Sequence, residues 1–207
     1  MKNGTLKDRA YRVIKEKIIS CEYPPNAILN EGQIQAEINV GRTPVREAIS
    51  CLAQENLLRI IPKKGIIISE LSINEILMTY DTRELIEPYA VRKCGNKIDK
   101  SVLIAYHGYF SQTYTMDSVD ELYRHDDKFH YLLVSMTRNK YLIQVYESIQ
   151  LQNRRIRIMS GAKVENRIVE SPQEHLKIVD AMLEEDYEQA ANYLLSHLKS
   201  AKDAAFS

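Results

Sequence analysis

Five histidines are spread along the 207 residues, and three of them stand where an imidazole could serve as a metal ligand. Asp126 and His130 occupy i and i+4 of Asp126-Asp127-Lys128-Phe129-His130. On a helix that spacing puts both groups on one face, one turn apart. His175 shares an apolar stripe with Ile178, Val179 and Met182, and His197 shares one with Leu194 and Leu198. Three imidazoles and a carboxylate turned into one core form a donor set for a divalent ion such as Zn²⁺, Ni²⁺ or Mn²⁺. A single inward histidine is commonly a core residue, but four such groups on three helices argue for a shared site. His125 adjoins Asp126 but points about 100° away around the helix, and His107 lies outside the pattern.

A second group of residues has chemistry suited to nucleic acid. Arg42, Thr43 and Arg46 cluster at the start of a short amphipathic segment whose buried stripe is Val45, Ala48, Ile49 and Leu52. The free N–H groups and dipole of a helix N-terminus favour phosphate, and an arginine there can take guanine O6 and N7 in bidentate fashion. Downstream, Leu57–Ile61 and Ile66–Ser69 are β-branched runs around the turn Pro62-Lys63-Lys64-Gly65. Lys63 and Lys64 at that tip suit backbone or minor-groove contact, and Gly65 allows close backbone approach.

The elements that must position these groups follow from periodicity and capping. Residues 7–20 carry a 3.6-residue stripe, closed by the turn Pro24-Pro25-Asn26. Asn30 and Gln33 form a capping box for a short second helix ending near Asn39. A tight turn leads to a third helix, with Thr43 expected as N-cap and Pro44 as its first residue. Helix, turn, helix and basic-tipped hairpin together describe a winged helix-turn-helix. Beyond residue 70 the pattern is all helical. Ser72 to Glu75 opens a helix to about Lys93, Ser118 to Glu121 opens one to about Met136, and Ser171-Pro172-Gln173-Glu174 carries the strongest start signal. Segments near 98–115, 139–160 and 187–203 complete a six-helix bundle. The expected domains are 1–70, which reads DNA, and 71–207, which holds the metal.

Composition narrows the alternatives. Lys and Arg number 28 and so do Asp and Glu, so the chain is neutral overall. Residues 1–70 nevertheless hold 11 basic against 8 acidic groups, a mildly basic head. Three cysteines without CxxC spacing fit a reducing compartment and exclude a zinc ribbon. No apolar run approaches the ~18 residues of a membrane span, and no h-region opens the chain, so a cytoplasmic protein is expected. A hydrolytic metal centre is disfavoured, because no general-base motif such as HExxH is present.

The run Val40-Gly41-Arg42-Thr43-Pro44-Val45-Arg46-Glu47-Ala48-Ile49 resembles the recognition segment of the GntR superfamily of bacterial transcription regulators. Pro24 to Glu31 and Lys64-Gly65 resemble that family's flanks at matching offsets. The resemblance implies a homodimer that reads a short palindromic operator, with Arg42, Thr43, Arg46 and Gly65 as DNA contacts. Gly41 departs from it, standing where a serine is usual, and Gly32 stands where many members place an arginine. Asp126-x-x-Phe129-His130, the segment around Glu174-His175-x-x-Ile178, and Asp186-x-x-x-Ala190 with His197 resemble the FCD effector domain of one GntR subfamily. That likeness implies a divalent metal held by Asp126, His130, His175 and His197. It also implies a carboxylate effector held near the metal by Arg83 of the Arg83-x-x-x-Glu87 pair. The function so implied is a ligand-responsive repressor. The alternative is a DNA-binding regulator whose metal is structural or is itself the signal.

Overall fold

The computed structural model describes residues 4–160 and 164–206. The chain separates into two compact units, residues 1–75 and 76–207.

In the first unit, α1 (Leu6–Ile19) starts at Thr5, whose side chain and that of Asp8 cap each other's backbone N–H. Its stripe of Ala10, Ile14 and Ile18 is fully buried and packs on α3. The expected capping box of α2 (Glu31–Ile38) is present, with Gln33 N–H donating to Asn30 Oδ1 at 2.8 Å. Asn39 ends that helix in the left-handed region at φ 51°, which asparagine tolerates. Helix α3 (Arg42–Gln54) begins earlier than its sequence signals suggest. Gly41 is the N-cap, with no side-chain capping bond, so Thr43 is the second helical residue and Pro44 the third. Proline is tolerated there for the same reason as at the first position, because N–H groups of the first turn have no helical partner.

Strands β2 (Leu58–Ile61) and β3 (Gly65–Ile68) form the expected hairpin, in antiparallel register from Ile61 opposite Gly65 to Leu58 opposite Ile68. A third strand, β1 (Ile28–Leu29), was not expected; it pairs with the other edge of β3 to give the order β1-β3-β2. At two residues it is too short to show alternation in sequence. Gly65 has φ 105°, and a Cβ there would lie 2.6 Å from the Leu29 carbonyl oxygen. Its close backbone approach is therefore to β1. Gly65→Ala should destabilise this unit by about 1–2 kcal/mol through φ strain and loss of the strand contact, read as a lower urea midpoint.

The second unit contains six α-helices among the described residues: α4 (Ile73–Cys94), α5 (Lys100–Phe110), α6 (Val119–Ser135), α7 (Lys140–Met159), α8 (Val164–Leu183) and α9 (Tyr187–Phe206). Ser72 caps α4 as expected, accepting from Glu75 N–H at 3.2 Å. Ser118 sits at the N-cap of α6, yet its hydroxyl serves Thr115 N–H instead. The start signal at Ser171 does not start a helix. Helix α8 begins at Val164 and runs through Pro172. The preceding turns are held in place by burial of Ile168 against Tyr114 and Leu122, and that packing outweighs the local signal. The main core joins Leu103 and Phe110 of α5, Phe129 and Leu133 of α6, Ile178 and Met182 of α8, and Leu194 and Leu198 of α9.

Candidate metal centre and nucleic-acid interface

Helices α6, α8 and α9 bring the four expected ligand residues together, all of them buried. One ligand atom from each of Asp126, His130, His175 and His197 lies within 4.8 Å of the others. His130 Nε2 is 3.0 Å from His175 Nε2 and 3.8 Å from Asp126 Oδ1, and His175 Nε2 is 3.4 Å from Asp126 Oδ1. A cation bonded at about 2.1 Å to each donor spaces its ligands roughly 3.0–3.4 Å apart. Phe110 stacks on the His175 ring, with centroids 4.4 Å apart.

Tautomers follow from the outer partners. His130 Nδ1 is 2.6 Å from Glu87 Oε2, His175 Nδ1 is 2.7 Å from the Ser171 carbonyl oxygen, and His197 Nδ1 is 2.7 Å from Glu174 Oε2. Carboxylate and carbonyl oxygens only accept, so each Nδ1 carries the proton and donates. Each neutral ring then has its lone pair on Nε2. The cluster is thus three acceptor nitrogens and a carboxylate turned toward one another with no donor among them, an arrangement that fits a bound cation. Burial, helped by the charge of neighbouring imidazoles, pushes the His175 pKa well below its usual value. Burial likewise lowers that of His197, against the opposing pull of Glu174. Both rings are therefore kept neutral, as ligands must be. Burial opposes ionisation of Asp126, but the Arg157 guanidinium outweighs it and holds the carboxyl far below the usual range.

An open cleft adjoins Asp126 and His197. Arg83 lines it, together with Arg157 and Arg167. Arg83 is buried, donating from Nε to Glu87 Oε1 at 2.6 Å and from Nη1 to Asn153 Oδ1 at 3.0 Å. Glu87 is buried too; desolvation resists its charge, but Arg83 and His130 bring its pKa down to about 2. Sequence reasoning missed Arg157, which pairs with both Asp126 and Asp127, and Arg167, which pairs with Glu174. It also missed Glu174 as the orienting partner of His197, although Glu174 lies next to His175 in the chain. Of the other histidines, His125 stacks on Tyr109 and His107 lies near Asp180; neither joins the cluster.

In the first unit the DNA-type residues lie in the open. Arg42 and Arg46 side chains are 70% and 58% exposed, and Thr43, Lys63 and Lys64 are also exposed. Arg46 Nε donates to Glu31 of α2, at 2.9 and 2.7 Å from its two carboxylate oxygens, and Arg42 Nε is 3.7 Å from the same group. The wing turn closes with Lys64 N–H on the Ile61 carbonyl at 3.1 Å, and Lys63 sits at φ 67°. Lysine at a left-handed turn position, where glycine or asparagine is easier, points to use of its charge. A side chain at Gly41 would meet nothing within 4 Å. Gly41→Ser should therefore cap α3 and raise stability by a few tenths of a kcal/mol, measurable as a small rise in urea midpoint.

Comparison with known proteins finds matches for both parts of the chain. Residues 6–68 match the bacterial regulatory proteins of the gntR family, and residues 78–200 match the FCD domain. The chain is 27% identical over 187 residues to the Nta operon transcriptional regulator of Aminobacter aminovorans, covering 89% of this chain and 87% of that one. It is 25% identical over 207 residues to the HTH-type transcriptional repressor RspR of Escherichia coli K12, covering 96% and 88%. The fold matches the crystal structure of a putative GntR transcriptional regulator from Rhodococcus sp. RHA1 with a TM-score of 0.81, at 20% identity and over 97% of both chains. The fold and both halves of the sequence define a DNA-binding regulator of transcription. The chain belongs to the GntR family and carries an FCD domain.

Proposed function

We propose that this regulator is a homodimeric repressor that holds a divalent metal in its helical unit and responds to a small organic acid bound beside it. The observation that carries the reading is the donor-free cluster of Asp126, His130, His175 and His197 opening onto a cleft lined by Arg83. When bound, the metal supplies a fixed positive charge and coordination positions open to a carboxylate oxygen. The chain's own contribution is to turn three imidazole Nε2 atoms toward one point, to keep His175 and His197 neutral, to hold Asp126 ionised against Arg157, and to offer guanidinium groups to an anion. Acid binding changes operator affinity by the coupling free energy between the two sites. In the first unit Arg42, Thr43 and Arg46 read the major groove of a palindromic operator, and Lys63 and Lys64 contact its backbone. Repression as the sign follows the printed role of the Escherichia coli relative. No helix among the described residues is long and apolar enough to cross a membrane.

The test is elemental analysis of the untagged protein, followed by operator-fragment binding against a panel of organic acids at constant metal. About one metal per chain and an acid that shifts the binding curve are expected. Release of DNA by chelation alone, with no acid active, would convert the reading to a structural or sensed metal. No metal, with no uptake of Zn²⁺, Ni²⁺ or Mn²⁺, would reduce the four residues to core packing.

A further inference from the structure

Each of the three imidazoles is oriented through Nδ1, but by acceptors of two kinds. His175 is held by the Ser171 backbone carbonyl. His130 and His197 are held by carboxylates, Glu87 at 2.6 Å and Glu174 at 2.7 Å. Each carboxylate is also gripped by an arginine. Arg83 Nε lies 2.6 Å from Glu87 Oε1, and Arg167 Nη1 and Nη2 lie 2.9 and 2.6 Å from the two oxygens of Glu174. Tyr146 adds a hydroxyl that donates to Glu87 Oε1 at 2.8 Å. Both arginines line the cleft beside Asp126 and His197.

We propose that the chains Arg83–Glu87–His130 and Arg167–Glu174–His197 are the couplings through which a small carboxylate in the cleft changes the affinity of the cluster for its divalent cation. The proposal rests on the metal reading above and adds a mechanism to it. Each carboxylate divides its charge between a guanidinium and an imidazole N–H. A carboxylate in the cleft that pairs with Arg83 or Arg167 competes for the guanidinium. Glu87 or Glu174 then accepts more strongly from Nδ1–H, and Nε2 becomes a stronger donor to the cation. His175 is outside this effect, because its acceptor is a backbone carbonyl and not a carboxylate. Coupling of this kind is reciprocal, so the cation tightens binding of the carboxylate by the same factor. Glu87 and Glu174 are positioning residues in this scheme, acting on the cation through histidine.

The experiment uses the full chain, stripped of metal, with Zn²⁺ for affinity, Co²⁺ for its visible absorption bands and sodium acetate as the carboxylate probe. Glu87→Gln and Glu174→Gln should each weaken Zn²⁺ binding by about 10–100-fold and shift the Co²⁺ bands. Glu174 is partly exposed, so Glu174→Gln gives a readout even if the buried Glu87→Gln fails to fold. The metal-induced rise in melting temperature is read against each protein's own metal-free form, which separates positioning from loss of structure. Acetate should tighten Zn²⁺ binding in the wild type, less in each single variant, and not at all in the double variant. Unchanged Zn²⁺ affinity in Glu174→Gln overturns the coupling, as does an acetate effect that survives intact in the double variant and so comes from direct ligation. A wild type insensitive to acetate overturns it also. A wild type that takes up no Zn²⁺ overturns the metal reading itself, a distinct result.

Discussion

Replacing His175 with alanine should abolish stoichiometric metal binding and remove a metal-induced rise in melting temperature of about 10–20 °C. The size follows from linkage. Metal at roughly 1,000 times its dissociation constant stabilises the folded state by about 4 kcal/mol. In a unit of this size each kcal/mol moves the midpoint by about 4 °C. His175 is the most central ligand, fully buried, with Nε2 3.0 Å from His130 Nε2 and 3.4 Å from Asp126 Oδ1. Without it two imidazoles and a carboxylate remain, and the cation loses one of its four protein ligands. The variant also loses its stacking on Phe110 and leaves a cavity, so the metal-free protein will melt lower too. For that reason the decisive quantity is the difference between loaded and stripped protein, measured for each form by calorimetry. Equal metal-induced shifts in wild type and variant would remove His175 from the site.

What the sequence disclosed and what it hid divide along physical lines. The four clustered residues were legible because helical spacing reports a shared face directly: Asp126 and His130 stand one turn apart, and His175 and His197 each sit on an apolar stripe. Asn30 with Gln33 and Ser72 with Glu75 were legible because a cap is a contact between residues three apart. The partners of the cluster were not. Arg157 reaches Asp126 across 31 positions, a separation that only packing of α7 on α6 sets. In the sequence it belongs to the basic run Arg154-Arg155-x-Arg157, which carries no sign of burial, yet Arg155 is fully buried. The Ser-Pro-x-Glu signal at 171–174 misled for a related reason. Pro172 is buried inside α8, Glu174 holds His197 and Arg167, and the Ser171 carbonyl holds His175. A segment that looks like a helix start serves as the outer support of the Asp–His cluster. Local chemistry and tertiary chemistry compete for the same side chains there, and burial decides.

Arg46→Ala should cost roughly 1–3 kcal/mol at one operator base position and much less at that position's other bases, if the guanidinium reads guanine as a fork. The structure supplies a reason for such selectivity. An exposed arginine on a helix surface ordinarily samples many rotamers and binds phosphate as readily as base. Arg46 is tied through Nε to both oxygens of Glu31, which fixes the plane of the guanidinium before DNA arrives. Glu31 also places a negative charge beside Arg42 and Arg46, which weakens the attraction of this helix end for phosphate. Glu31→Gln should therefore act in two directions at once. Binding to non-operator DNA should tighten, because a repulsive charge is gone. Discrimination at the Arg46 base position should fall, because the fork is no longer held. In the Arg46→Ala background the second effect should vanish while the first persists, a non-additivity that a double-mutant cycle over matched operator variants measures. Uniform loss of affinity on every sequence in Arg46→Ala, with the salt slope reduced by about 1, would instead make Arg46 a phosphate contact. Glu31 would then be a restraint on affinity alone, and base selection would pass to Arg42 and Thr43 in the first turn of α3.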